Sequence, residues 1–241
     1  MTVLLENLGK RFGDGAPVLD GVNATIRSGE FVALLGASGC GKSTLLNIIA
    51  GLERPSAGAL EVPADGAAFM FQDAALYPWL TARGNIELAL KLRGVAKAER
   101  RTRAKELLDL VHLGEAADKR PHELSGGMRQ RVALARALSQ DREVLLMDEP
   151  FAALDAITRD LLHEELTRIW RETGRTIIFV THNVREAVRL GQRVLLLSSR
   201  PGRVVSEWEV PGAVKDDAAA AAALTADITA RLREEIRRHG K

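Results

Sequence analysis

Residues Gly36-Ala-Ser-Gly-Cys-Gly-Lys42-Ser43 follow the spacing G-x-x-x-x-G-K-[ST], between an apolar run and a helical pattern. These residue types suit one task, holding phosphate. Glycines let successive backbone N–H groups turn inward onto anionic oxygens, and the positive end of the following helix strengthens the field. Lys42 supplies a point charge for terminal phosphates, and the Ser43 hydroxyl is a Mg²⁺ ligand. Cys40, inside the loop, reads as a small filler, because no paired histidine motif accompanies it to activate a thiol. A second element complements the loop: Val144-Leu-Leu-Met147 runs straight into Asp148-Glu149. Asp148 is then suited to hold Mg²⁺ through water, and Glu149 to polarise a water attacking the terminal phosphate. Ser125-Gly126-Gly127 reads as a glycine-bearing helix start whose exposed N–H groups and hydroxyl make a second anion site. One chain thus carries two phosphate cradles.

These groups need a scaffold, and the pattern of apolar residues supplies one. Phe31 to Leu35, Val144 to Met147, Thr176 to Val180 and Val194 to Leu197 are compact apolar runs, as in a parallel sheet covered on both faces. Gly202 to Val210 reads as a late hairpin arm. Helical spacing connects them: Leu45, Ile48, Ile49 and Leu52 form one stripe, and Leu161, Leu162, Glu165, Leu166 and Ile169 another. Alternating strands and helices define an open α/β core. From about Leu80 to Gln140 strand signals vanish, and the stretch reads as a helical insertion. Its basic cluster, Lys97 to Lys105, is a solvated helix face, since no aromatics interleave with it. The tail repeats Ile228, Leu232 and Ile236 every fourth residue and is expected to be a terminal helix.

Composition narrows the classes further. The 241 residues carry 34 Lys plus Arg against 32 Asp plus Glu, a formal charge of +2 that leaves no strong electrostatic footprint for nucleic acid. No segment approaches the roughly 18 consecutive apolar residues of a membrane span. Glu6, Lys10 and Arg11 interrupt the start, so no signal peptide is expected there. A single cysteine excludes an internal disulfide framework.

With these motifs in hand, the sequence resembles the ATP-binding subunits of ABC transporters over about residues 2 to 210. Leu124-Ser-Gly-Gly-Met-Arg-Gln130 is similar to that family's signature, Ala153-Leu154-Asp155 to its D-loop, and Thr181-His182 to its switch histidine. The resemblance implies a P-loop NTPase (RecA-like) core in residues 1–72 and 141–212, with a mainly parallel sheet and an N-terminal antiparallel part. It also implies a helical subdomain in residues 73–140 and a helical tail in residues 213–241. It assigns ATP to Phe12, stacked on adenine, to Gly36, Ala37, Ser38, Gly39, Cys40, Gly41, Lys42, Ser43 and Thr44, and, from a partner copy, to Ser125, Gly126, Gly127 and Asp155. Glu149, His182 and Gln72 are the implied catalytic residues, and Ser43, Gln72 and Asp148 the implied Mg²⁺ ligands.

The implied partners are a second copy in an ATP-sandwiching homodimer, membrane permease subunits and, through them, a solute-binding protein, with the chain on the cytoplasmic face of the membrane. Leu76-Tyr-Pro-Trp-Leu80, Pro150 to Asp155 and Ser198-Ser-Arg-Pro-Gly-Arg203 are similar to bacterial importers of nitrate, sulfonates and taurine. Gln72 to Leu80 is expected to form a groove receiving a permease helix. The competing class is a non-transport ATPase of the same superfamily, working on DNA or the ribosome. Met128, Ala152 and Asn183 depart from the commonest family residues, but none is a phosphate, Mg²⁺ or water-positioning group.

Overall fold

The structure is a computed structural model that describes residues 3–152 and 154–239; Ala153, assigned above to the D-loop, lies outside them, as does the side chain of His239. In chain order the elements are β1 (Val3–Lys10), β2 (Leu19–Ile26), β3 (Phe31–Gly36), α1 (Lys42–Ile49), β4 (Ala57–Glu61) and β5 (Ala67–Met70). There follow α2 (Ala82–Leu92), α3 (Lys97–Leu110), α4 (Gly126–Leu138), β6 (Val144–Asp148), α5 (Ala156–Thr173) and β7 (Thr176–Val180). The chain closes with α6 (Val184–Leu190), β8 (Arg193–Leu197), β9 (Val204–Glu209), α7 (Gly212–Asp216) and α8 (Ala218–His239).

The central sheet has the order β5-β6-β7-β3-β8-β9, parallel throughout except for the antiparallel β8–β9 edge. Every residue of β3, β6, β7 and β8 is buried, the signature of strands covered on both faces. The two-residue period of a strand divides these side chains between two cores. Phe31, Ala33 and Leu35 face the helices, with Leu145, Met147, Ile177 and Phe179. Val32 and Leu34 face the other way and pack with α1 and with the antiparallel sheet β2-β1-β4. An ion pair pins this junction: Arg193 Nη1 lies 2.8 and 2.9 Å from the two Glu30 oxygens, both side chains are buried, and it also donates to the Thr25 carbonyl at 2.9 Å.

The middle of the chain is helical, and the Lys97-to-Lys105 face of α3 is solvated while Ala104 and Leu108 turn inward. Three sequence stripes each leave one member in solvent. Leu52 does not extend α1: the Gly51 N–H bonds Ile48 O at 3.0 Å and the Leu52 N–H bonds Asn47 O at 2.9 Å, closing the helix with Gly51 at φ +74°. Leu52 is therefore exposed, as are Leu161 on α5 and Ile236 on α8. Ile228 is the tail's buried anchor.

Candidate active site

The phosphate loop lies at the C-terminal end of β3, the edge where open parallel sheets hold ligands. Gly41, at φ +103°, caps α1; a Cβ there would stand 2.7 Å from Leu19 Cδ2, so only glycine fits. Lys42 Nζ reaches back across the loop and donates to Gly36 O at 2.9 Å and Ala37 O at 2.8 Å. Cys40 is buried beside it, Sγ 3.8 Å from Nζ, and burial pushes its thiol pKa up against the pull of Lys42. Ala37 and Cys40 thus build the loop, while Gly36, Ser38, Gly39, Gly41, Lys42, Ser43 and Thr44 line a cavity of about 440 Å³.

Gln72, Glu149 and His182 line the cavity from three further segments, and Asp148 stands just outside the lining. Asp148 ends β6 and is almost fully buried with the Ser43 hydroxyl against its carboxylate. Burial raises its pKa and neighbouring Glu149 adds to this, while Ser43 and Lys42 oppose. A carboxylate and a hydroxyl at a phosphate loop are hard oxygen donors suited to Mg²⁺. Among the described residues no three carboxylate, histidine or cysteine groups converge on one point.

Glu149 follows with a left-handed backbone, φ +46°, its N–H held by Val180 O at 3.1 Å. A non-glycine residue in that region costs on the order of 1–3 kcal/mol, a price met by the surrounding strands. The turn aims the carboxylate into the cavity, where Oε2 accepts from Gln72 Nε2 at 3.2 Å and stands 3.4 Å from His182 Nδ1. Gln72, Glu149 and His182, from three separate segments, therefore meet at one point of the wall.

The phosphate loop, this acidic strand end and their order along the chain can be set against known proteins. The ABC transporter family pattern matches residues 19–152, more than half of the sequence. The chain belongs to the ABC transporter family. It is an ATP-binding, ATP-hydrolysing cassette. It is 48% identical over 207 residues to the taurine import ATP-binding protein TauB of Mesorhizobium japonicum, covering 83% of this chain and 80% of that protein. It is also 48% identical over 225 residues to the bicarbonate transport ATP-binding protein CmpC of Synechococcus elongatus, covering 87% of this chain but 34% of that longer protein. Among solved structures, the dimeric ATP-binding cassette MJ0796, bound to ADP and Pi after hydrolysis, superposes with a TM-score of 0.80 at 36% identity, covering 87% of this chain and 99% of that one.

Other expected residues of the cassette stand apart from the cavity. Ser125 caps α4, its Oγ accepting from the Met128 N–H at 3.2 Å, and with Gly126 and Gly127 it is absent from the cavity lining. Asp155 caps α5, accepting from Thr158 N and Oγ1 at 2.9 and 2.7 Å; these bonds lower its pKa, and it too is outside the lining. Phe12 is half exposed beyond the cavity, with Lys10 Nζ 4.6 Å from its ring centroid.

The cavity also contains a residue to which the sequence reading gave no role. Arg200, between β8 and β9, lines it and donates from Nε to Gly39 O at 2.8 Å. Its loop is fastened to the phosphate loop's flank by Gly202 N to Val18 O at 2.8 Å and Asp20 N to Gly202 O at 3.1 Å. The available signal was the Ser198-to-Arg203 stretch, which carried only a subgroup likeness until the fold set it against Gly39.

Proposed function

We propose that the cassette uses ATP, with Mg²⁺ held by Ser43, Asp148 and Gln72, to power import of a small anionic solute through separate membrane permease subunits. Bound Mg²⁺ supplies charge neutralisation at the β- and γ-phosphates. Lys42 holds the same phosphates, the loop N–H groups orient them, and Arg200 adds a guanidinium at the rim. Glu149 accepts the proton of the attacking water, while Gln72 and His182 fix that water's position beside the carboxylate. Phe12 offers a ring face to adenine.

The signature serine completes a site on a second copy. Ser125, Gly126, Gly127 and Asp155 then close the neighbour's nucleotide in a C₂ pair. Their position outside their own chain's cavity supports this reading, as does the dimeric state of MJ0796.

The observation that carries the transport reading is the path from the cavity to an exposed groove. Gln72 holds Glu149 with its side chain, and its own carbonyl accepts from Gln130 Nε2 of α4 at 2.7 Å. Arg136, also on α4, donates to Ala74 O and Ala75 O, both at 2.8 Å, and lies 5.9 Å from the Tyr77 ring centroid. Tyr77, Phe71, Leu88 and Leu92 then line a groove of about 580 Å³, with Trp79 67% exposed and packed on Tyr77. Exposed aromatics beside an apolar groove are suited to a partner helix. A permease helix seated there has a short mechanical route to the catalytic carboxylate and holds the cassette at the cytoplasmic membrane surface.

The names of the relatives, taurine and bicarbonate systems, support a small oxoanion class; sulfonates, taurine and nitrate fall within it, and a solute-binding protein would deliver the solute to the permease. They also weigh toward transport over work on DNA or the ribosome. Trp79→Ala tests the coupling: phosphate release by the cassette alone should stay within twofold of wild type, while stimulation by the reconstituted permease should be lost. Equal losses in both would remove the groove from the reading.

A further inference from the structure

The terminal helix α8 packs against α6, and a second cleft of about 760 Å³ opens between them. Small side chains of α8, among them Ala222, Thr225, Ala226 and Thr229, form its floor. The two hydroxyls are turned onto their own helix, Thr225 Oγ1 to Ala221 O at 2.7 Å and Thr229 Oγ1 to Thr225 O at 2.6 Å, which leaves that floor apolar. The rim is cationic: Arg185 and Arg189 come from α6, Lys215 from α7 and Arg233 from α8, and no described carboxylate lines the cleft.

Two of these cations are already engaged. Arg189 pairs with Asp160 and Glu164, and Lys215 Nζ donates to Leu190 O at 2.9 Å. The Arg185 and Arg233 guanidinium groups have no partner among the described residues. Past Arg189 and Lys215 the cleft adjoins a hollow of about 510 Å³ whose wall includes His163. That buried histidine has neither ring nitrogen hydrogen-bonded. Glu164 and Glu172 in the same hollow are held by Arg189 and Arg168. Unpaired guanidinium groups above an apolar trough match a ligand with an anionic head and an apolar body.

We propose that the α6–α8 cleft binds an amphipathic organic anion, a sulfonate, carboxylate or phosphate ester with a short hydrocarbon body, its head on the Arg185 and Arg233 guanidinium groups and its body along the alanine–threonine floor. Occupancy reaches the ATP site by two contacts. Asn183, adjacent to His182, caps α6 by accepting from the Arg185 N–H at 3.0 Å. His163 meets the ring of Phe151, two residues past Glu149, edge-on at 4.5 Å. A ligand that fastens α8 to α6 therefore alters turnover without touching nucleotide.

Titration calorimetry of the full chain with octanesulfonate below its micelle concentration tests the site, with sodium sulfate and octanol as controls. One saturable site with a Kd of roughly 10⁻⁴ M is expected. Arg185→Gln with Arg233→Gln should weaken it at least tenfold, and Ala226→Leu, at an exposed helical position, should abolish it by filling the trough while leaving thermal unfolding unchanged. Equal affinity in these variants, or equal binding of sulfate or octanol, overturns the proposal. Sedimentation with phosphatidylglycerol vesicles, lost in the same variants, would support the site with a lipid headgroup as its source of anion; sedimentation indifferent to them counts against it. Saturating octanesulfonate should change phosphate release at least twofold in wild type and not in Ala226→Leu. An unchanged wild-type rate overturns the link to turnover.

Discussion

Replacing Gly202 by alanine tests how firmly the loop between β8 and β9 supports the phosphate loop. A Cβ at this position would stand 2.3 Å from the Cys40 carbonyl oxygen and 3.0 Å from Leu19 Cδ2. A relaxed carbon–oxygen contact is about 3.3–3.6 Å, so backbone has to give by about 1 Å. Gly202 itself is held on both sides, by Val18 O and Asp20 N, and its backbone is not left-handed. The displacement therefore falls largely on Cys40, two residues before Lys42. A misplacement of about 1 Å costs on the order of 10²-fold in rate, equivalent to about 2.7 kcal/mol. Phosphate release should accordingly show kcat/KM for ATP about 100-fold below wild type. Overpacking of this kind costs about 1–3 kcal/mol of stability, so the variant remains folded at assay temperature with a Tm lowered by several degrees. Gly212→Ala, where a Cβ meets nothing within 4 Å, is the matched control and should behave as wild type. If Gly202→Ala hydrolyses ATP with wild-type kcat/KM, the loop does not position the phosphate cradle and the reasoning fails.

Glu149→Gln keeps the shape of the side chain and removes the proposed base, so ATP binding should persist while turnover drops about 10²–10⁴-fold; a turnover number near wild type would assign the proton to another group. Glu30→Ala strips the buried Arg193 guanidinium of its main counter-charge and should cost about 3 kcal/mol, read as a lower urea midpoint, with Glu207 at 2.7 Å limiting the loss. Burial, reinforced by Arg189, lowers the His163 pKa to about 4, so between about pH 6.5 and pH 4 the unfolded chain binds more protons than the folded one. Stability from this residue is complete above that window and falls by about 2–3 kcal/mol as pH drops through it. His163→Leu should flatten this decline in urea titrations at pH 7 and pH 4.5, and parallel declines in both proteins would contradict it.

The central strands were legible because burial on both faces leaves an unbroken apolar run, as in Phe31–Leu35 and Thr176–Val180. The outer sheet was not legible strand by strand. β1 and β4 mix polar and apolar positions, and register shifts between Leu5 and Leu8 and between Glu6 and Gly9 break the alternation that would betray them. Leu52 matched the helical period but lay past a stop set by Gly51, a backbone event that periodicity does not encode. The phosphate loop could be read locally because one contiguous segment does the chemistry. The meeting of Gln72, Glu149 and His182 depends on three distant segments, and only likeness to a family had suggested it. Arg200 and the α6–α8 cleft are products of tertiary packing, visible once β9 and α8 fold back.

Ser125 standing outside its own chain's cavity has a kinetic corollary. If each reaction centre is assembled from two copies, as proposed, the cassette is a reactant in its own catalysis. Specific activity in dilute solution then climbs with enzyme concentration before reaching a plateau. Any agent that ties two copies side by side acts as an activator even if it never approaches the nucleotide. A permease presenting two helices, one to the groove of each cassette, would raise the rate simply by raising the local encounter frequency of the pair.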